Sequence, residues 1–427
     1  MIKKTSKQIS ISLMLIQVLA IIISPLMAYS QFSFSENAVL PQTGWPNVKQ
    51  RVSEAKPIKI AYLGGSITNA KDGWRSQTLS GLQKHFPGIL FSQVSAGVSG
   101  TGSDLGVFRI DKDVLAFNPD LVLIEFAVND NGKNTMLIKE SIEGIITKIK
   151  QKNSNTDIGL VYTMERSMMD YIQKNQNTPS IEAVEEVAVY YGVPSIFLPD
   201  KVMTLYREAK LVFSGDQPCK GDTMVFSKDN VHPYPETGHR LYASTFMEAV
   251  PVIFDQSAKK EEGKKPLTGN PFRQAQLVPL AKPFYNTQWQ LLETPNDTVA
   301  KKFANRFDSV LYSGSKDAVF DFTFEGSRFG FYELIGPGSS AYNINIDGKD
   351  STIIRFDRYC TNWRANYFIM PEILPGIHHV TVKISPVAID KEKILRRSFT
   401  DAEKELFSST AFYTGRNFTV REAHIYK

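Results

Sequence analysis

Apolar and polar positions along this chain follow two regimes that change near residue 255. In the first regime, short apolar runs alternate with longer amphipathic ones. Ile58, Ile60, Ala61, Tyr62 and Leu63 read as a buried strand that ends in Gly64-Gly65-Ser66. Gly73 to Phe86 carries Trp74, Leu79, Leu82 and Phe86 near helical spacing and is closed by Pro87-Gly88. Ile89 to Val94 predicts a second strand, and Ser103 is placed to cap a helix running to Phe117, before Asn118-Pro119. Leu121 to Phe126 is a continuous apolar strand, followed by a helix over Thr135 to Lys150 whose Ile138, Ile142, Ile145, Ile146 and Ile149 form one stripe. Ile158 to Tyr162, Pro179 to Tyr191, Ser195 to Leu198 and a last helix over Pro235 to Val250 continue the series, with Val202 to Val225 predicted to be irregular. This alternation predicts an α/β fold, a parallel sheet covered by helices on both faces.

The second regime has period two. Ala318 to Phe324 alternates, Tyr342 to Ile346 alternates into an Asp347-Gly348 turn, and His378 to Ile384 alternates again, with no helical pattern between them. Pro271 to Lys427 therefore predicts an all-β sandwich. Between the regimes, Asp255 to Asn270 is charged, aperiodic and broken by Gly and Pro, as a linker would be. The expected organisation is a segment 1–30 removed on export, a leader 31–56 lying extended on the next domain, an α/β domain 57–254, a linker 255–270 and a β-sandwich 271–427.

The export expectation comes from the amino terminus. Lys3, Lys4 and Lys7 precede an apolar run from Ile9 to Met27, and Ala28-Tyr29-Ser30 supplies small residues for cleavage before Gln31. This reads as a secretory signal peptide, with a periplasmic or extracellular destination. The run is nearly long enough to span a bilayer, so an uncleaved anchor is the competing reading. Removing those three lysines takes the net charge from +5 to +2, which argues against a nucleic-acid or anionic-membrane partner. Cys219 and Cys360 are too few for a disulfide framework and fit either one bridge or two buried thiols.

Open parallel sheets bind ligands at the carboxyl ends of their strands. Ser66 follows the first predicted strand, the glycine-rich Ser95 to Ser103 the second, and Asn129 the third. Gly-Gly-Ser alone also makes an ordinary loop, but Asp229 and His232 lie just before the last helix at a spacing that lets the carboxylate reach the far ring nitrogen. Together these residues supply a nucleophile, a base and an orienting carboxylate. Arg75, Arg109 and Glu165 are candidate substrate-binding residues; the plainer reading of the arginines is a solvated or salt-bridged helix face. His239 suits a capping or packing role. Asp104, Asp111 and Asp113 fit an exposed helix face, and no histidine or cysteine cluster has ligand spacing, so neither metal nor cofactor is expected. Trp289, Tyr342 and Trp363 are either sandwich core or platforms for sugar rings.

Four motifs then occur in a recognisable order between Ile58 and Val250: G-G-S-I-T around Ser66, A-G-V-S-G-T-G-S around Gly100, A-V-N-D around Asn129 and D-N-V-H-P around His232. In this the chain resembles the SGNH, or GDSL-type, hydrolase family. The resemblance implies a flavodoxin-like three-layer α/β/α sandwich, a Ser66–His232–Asp229 triad, and an oxyanion hole made by the backbone N–H groups of Ser66 and Gly100 with the side-chain amide of Asn129. It also implies ester hydrolysis through an acyl-enzyme, without a cofactor. Gly65 stands where the name-giving motif has Asp, and Ser95 where the second block often has Asn; a Gly-Gly-Ser-Ile-Thr version marks a branch of the family. With export and a second domain, the resemblance points to removal of acyl groups, acetyl first, from a carbohydrate. The alternatives are a lipid esterase or lysophospholipase, and a glycan-binding protein with a vestigial hydrolase domain.

Overall fold

The structure, a computed structural model, describes residues 38–256, 264–279, 282, 284–408, 411–419 and 425–426. The expected signal peptide, the start of the leader and the middle of the linker lie outside the described residues. Six strands form the first sheet: β1 Val39–Leu40, β2 Ile58–Gly64, β3 Phe91–Gly97, β4 Leu121–Glu125, β5 Asp157–Tyr162 and β6 Ser195–Phe197. Their spatial order is β1-β6-β5-β4-β2-β3. β2 to β6 are parallel, and β1 runs antiparallel along the β6 edge. Leaving β1 aside, this is the order of flavodoxin-like sheets, in which the chain reverses direction of travel between β2 and β4.

Among the described residues, seven helices of eight or more residues accompany the sheet: α1 Pro46–Ser53, α2 Trp74–His85, α3 Ser103–Asp113, α4 Thr135–Lys152, α5 Pro179–Tyr191, α6 Asp200–Arg207 and α7 Arg240–Phe254. α3 packs on α4 and α4 on α5, whereas α2 packs on α7. β4 and β5 are buried along their whole length, which is why they read as unbroken apolar runs.

Several local expectations are corrected. The leader is not simply extended: Pro46 opens α1 as its first helical residue, where the missing N–H costs nothing. Trp45 beside it is buried and donates its ring N–H to the Ile158 carbonyl at 3.0 Å. Ser103 does not cap α3. Gly102 holds the capping position, the Ser103 N–H is taken by the Asp130 carboxylate, and α3 ends at Asp113, before a separate turn over Leu115–Phe117. Residues 202–225 are ordered as α6 and a small sheet, β7 Leu211–Ser214, β8 Cys219–Lys220 and β9 Thr223–Ser227. The last helix opens with a widened turn over Pro235–His239 and extends to Phe254. The end of the linker is also fixed, because Glu143 of α4 accepts the backbone N–H groups of Leu267, Thr268 and Asn270.

The remaining strands are β10 Gln276–Pro279, β11 Gln290–Glu293, β12 Ser309–Ser313, β13 Val319–Gly326, β14 Phe329–Ile335, β15 Ala341–Ile346, β16 Lys349–Ile354, β17 Arg364–Ile369, β18 Gly376–Ile384, β19 Phe412–Thr419 and β20 Ile425–Tyr426. They make two antiparallel sheets, β11-β12-β19-β14-β17 with β10 alongside β19, and β16-β15-β18-β13-β20. Phe320, Phe322, Phe331, Tyr342, Phe368 and Phe412 fill the space between them. Each such ring removed from water contributes roughly 1.5–3 kcal/mol. Alternate residues of the first of these sheets, Val310, Tyr332, Leu334 and Tyr413, face the other way and join the core of the α/β domain with Phe272 and Phe307. β14 is thus buried on both faces and the two domains share one interior.

The three aromatics raised as sugar platforms are packing residues. Trp289 stacks on Phe320 at 4.3 Å, Tyr342 is fully buried, and Trp363 meets Tyr413 edge-on at 4.9 Å. Cys219 is exposed and Cys360 buried, both as free thiols. Burial pushes the Cys360 thiol up to about 11.

Candidate active site

Ser66 begins a single helical turn, Ser66–Asn69, at the carboxyl end of β2. The turn is held from below by Glu125, the last residue of β4, which is buried at the same edge. Its carboxylate accepts the hydroxyls of Thr68 and Thr163, each at 2.7 Å, and the backbone N–H of Gly65. Burial pushes the pKa of Glu125 up, and these hydrogen bonds oppose that rise. Gly65 itself has a steric reason. A Cβ at this position would lie 1.7 Å from Oδ1 of Asn129, so the carboxamide occupies the space that a side chain would need. Gly100 has φ +73°, a left-handed conformation that costs glycine nothing and strains other residues.

His232 reaches Ser66 across the sheet edge, with Nε2 2.9 Å from Oγ, while Nδ1 lies 2.7 Å from Oδ2 of Asp229. Nδ1–H donating to the carboxylate leaves Nε2 as the acceptor for the serine hydroxyl. Asp229 is held by its own loop: Oδ1 accepts the backbone N–H of His232 at 2.8 Å, that of Val231 at 3.0 Å and the Ser227 hydroxyl at 3.1 Å. Burial works against the charge on Asp229, but the His232 ring and these N–H groups hold its carboxyl well below the usual carboxylate range. The loop is anchored at both sides, by β9 ending at Ser227 and by the Arg166 N–H donating to the Asn230 carbonyl at 2.9 Å. The small sheet in the region expected to be irregular thus positions the acid. His239 is buried nearby and accepts the Trp74 N–H at the start of α2 at 3.0 Å; burial lowers its pKa to about 4, so it stays neutral.

Ser66, Gly100, Asn129, Asp229 and His232 all line one cleft of about 900 Å³. Its opposite wall belongs to the β-sandwich domain, chiefly Asn305, Arg306, Asp357, Tyr359, Arg364 and Asn366. Arg306 reaches across to the Gly97 carbonyl at the end of β3 and to Oδ1 of Asn69 at 3.4 Å. Arg364 pairs with Asp357, and its guanidinium lies 5.8 Å from the centre of the exposed Tyr359 ring. Among the described residues, no group of three or more His, Cys, Asp or Glu side chains is arranged to hold a metal ion.

Residues 62–240 match the GDSL-like Lipase/Acylhydrolase family. They form a GDSL-like lipase/acylhydrolase domain. The protein is accordingly a serine ester hydrolase. A crystal structure of a two-domain esterase active on acetylated mannans, co-crystallised with mannopentaose, aligns over 92% of this chain and 100% of its own at 18% identity, with a TM-score of 0.70. A second crystal structure of a two-domain esterase active on acetylated mannans aligns over the same shares at 18% identity and a TM-score of 0.69. None of the curated proteins matches the chain in sequence.

Within the GDSL-like domain, the three substrate-binding candidates are placed elsewhere than expected. Arg109 is wholly buried, donating to the carbonyls of Ala96 at 2.7 Å and Gly64 at 3.1 Å and pairing with Asp113. Arg75 is buried and donates to the Thr68 carbonyl at 3.2 Å and to the Gln93 side chain. Both guanidiniums brace strand ends and loop carbonyls and have no access to a substrate. Glu165 accepts from Asn131 at 3.3 Å and Ser167 at 2.5 Å and does not line the cleft. Asp104, expected on an exposed face, is buried against Lys133 and Tyr367. The far-wall residues escaped the sequence reading altogether. Their one local signal was the D-R-Y-C-T-N-W-R run at 357–364, which mixes charged and aromatic residues between strands.

Proposed function

We infer that the protein is an exported esterase that removes O-acyl groups, acetyl first, from a carbohydrate. Ser66 attacks the ester carbonyl as His232 Nε2 takes its proton. Asp229 holds the ring in that tautomer and stabilises the imidazolium. The oxyanion is received by the N–H groups of Ser66 and Gly100 and the amide of Asn129. Its collapse breaks the ester C–O bond as His232 returns the proton to the departing alcohol oxygen. A water deprotonated by His232 then attacks the acyl-enzyme and releases the carboxylic acid and Ser66.

The observation that carries the substrate class is the composition of the cleft. Around Ser66 it presents the amides of Asn69, Asn305 and Asn366 and the charged pair Asp357–Arg364, with the exposed Tyr359 ring on the far wall and Val98, Val128, Val231 and the half-buried Phe303 as short apolar patches between them. Planar amides, a guanidinium, a carboxylate and a ring suit vicinal hydroxyls and a sugar face, whereas a long acyl chain needs an apolar channel. The two-domain esterase described above, active on acetylated mannans, has the same domain arrangement and supports this reading.

Acetate release from acetylated mannan, acetylated xylan and acetylated glucan, measured for wild type and Ser66→Ala, tests it. Ser66-dependent release from at least one polysaccharide is expected. Release confined to lipid esters, with rates rising steeply from acetate to octanoate, would select the lipid esterase instead. No Ser66-dependent release from any ester would select the vestigial glycan binder.

A further inference from the structure

A polar node with two buried carboxylates lies behind the cleft, where the two domains meet, and the acyl-transfer steps above make no use of it. At its centre the Lys133 ammonium lies 2.6 Å from Oδ1 of Asp104, 3.2 Å from Oδ1 of Asp130 and 3.1 Å from the hydroxyl of Tyr367. The Tyr367 hydroxyl in turn donates to Oδ1 of Asp104 at 2.6 Å. Three of the four residues follow the oxyanion donors within four positions in the chain, two in the Asn129 loop and one at the start of α3. Asp130 follows Asn129 directly and accepts the Ser103 N–H at 3.1 Å, and Lys133 closes the same turn by donating its N–H to the Asp130 carbonyl at 3.0 Å. Asp104 lies in the first turn of α3, four residues after Gly100. The fourth residue, Tyr367, comes from β17 of the sandwich.

Gly102 shows how closely the node is built into the backbone. A Cβ there would lie 2.1 Å from Oδ1 of Asp130 and 2.1 Å from Nζ of Lys133. Its φ of −102° is open to any residue, so the requirement for glycine is one of space. Asp130 is wholly buried and Asp104 nearly so, and an ion group of this kind holds its partners in one geometry only while every member is bonded.

We propose that Tyr367 is a positioning residue for acyl transfer, contributed by the sandwich domain, which locks the Gly100 and Asn129 loops in register through Asp104, Lys133 and Asp130. The proposal rests on the acyl-enzyme reading. It assigns the second domain a part in the chemistry that is separate from any contact with the sugar. Without the Tyr367 hydroxyl, Asp104 and Lys133 are free to shift, and both donor loops shift with them. Displacing a pre-aligned group by about 1 Å costs up to about a hundredfold in rate.

The test uses the full chain and p-nitrophenyl acetate, an ester with no sugar to occupy the far wall. Tyr367→Phe keeps the ring and removes only the hydroxyl. The expected result is a kcat reduced about ten- to a hundredfold, with KM within twofold of wild type. In the Asn129→Ala background, where one donor is already gone, the same substitution should cost less than about threefold, since coupled residues are non-additive. Lys112→Ala, which cuts the exposed inter-domain pair with Asp308, should leave kcat unchanged. A wild-type kcat for Tyr367→Phe, or equal fold losses in both backgrounds, overturns the proposal. A Ser66→Ala variant that still turns over p-nitrophenyl acetate marks failure of the acyl-enzyme reading itself.

Discussion

On the near side of the cleft, the side chains assigned to the chemistry sit at or just beyond strand ends, on segments whose backbone is held by buried or loop side chains. Glu125 holds the Gly65 N–H, Arg109 holds the Gly64 and Ala96 carbonyls, and Asp229 is fastened by N–H groups of its own loop. On the far side, Asp357 and Tyr359 stand on a loop of an antiparallel domain and Arg364 and Asn366 at the start of β17; Asp357 and Arg364 are tied to one another, and Arg306 reaches back to the Gly97 carbonyl. The near wall is built for fixed geometry, which a developing oxyanion requires. The far wall sets polar side chains around an exposed ring, which would suit contact with a sugar under the proposed function. On the proposed reading, bond-making falls to the near wall and substrate contact to the far wall, with Tyr367 behind the cleft serving the former from the second domain, and mutations on the two walls should separate into losses of kcat and rises in KM.

The largest effect belongs to the near wall. Ser66→Ala and His232→Ala should each lower kcat about ten-thousandfold or more on every ester, polysaccharide or not, as removal of a triad member commonly does. A substrate on which either variant keeps a tenth of wild-type activity would break the comparison, because the chemistry would then lie elsewhere. Asn129→Ala comes next, with kcat down about a hundred- to a thousandfold and unfolding temperature unchanged. Steady-state kinetics on p-nitrophenyl acetate beside a thermal melt checks both halves of that statement.

The near wall was legible in the sequence because its parts obey short-range rules. A buried strand followed by glycines and a serine, and a carboxylate three residues before a histidine, are patterns within a dozen positions. The parallel order of the sheet then brings them together. The far wall was not legible, since Asp357 and Arg364 meet Ser66 only through domain packing almost three hundred residues away in the chain. The same long range explains the corrected arginines. A helix periodicity cannot tell a solvated Arg109 from one that is driven inward to satisfy strand-end carbonyls, and that choice is made by unpaired backbone acceptors. Gly65 was visible as a departure from the family motif, but its cause, the Asn129 carboxamide against its Cα, required the fold. The seven-residue run of β14 hid in the same way, as burial on both faces removes the alternation by which a sandwich strand is recognised.

On the far wall, Arg364→Ala should raise KM for an acetylated polysaccharide roughly tenfold, the value of one hydrogen bond to a charged group. On p-nitrophenyl acetate it should change neither kcat nor KM by more than about twofold. Arg364→Lys, which keeps the charge and loses the planar fork, should resemble the alanine variant if the fork is what the sugar meets. A fall in kcat on the small ester would show that the far wall also shapes the oxyanion site and would erase the division of labour.

The smallest effect should come from the end of the near-wall sheet that faces away from the cleft. Asp157 at the amino end of β5 is buried and accepts the Val48 N–H of α1 at 2.7 Å, and burial raises its pKa to about 7. Glu185, buried beside Tyr162, is likewise raised to about 7 by burial. Between about pH 4 and pH 7 the folded chain therefore holds protons that the unfolded chain, with carboxyl pKa values near 4, has released. Stability from these groups is complete below about pH 4 and is lost as pH rises through 7. Asp157→Asn keeps an oxygen for the Val48 N–H and removes one of the two titrations. It should melt about 2–4 °C above wild type at pH 8 and no higher at pH 4, with kcat unchanged at both. A melt that is lower at pH 8 would mean that Asp157 is ionised and paired in the folded state. A change in kcat would mean that the two ends of the sheet are coupled, and that rigidity of the near wall depends on how α1 is held.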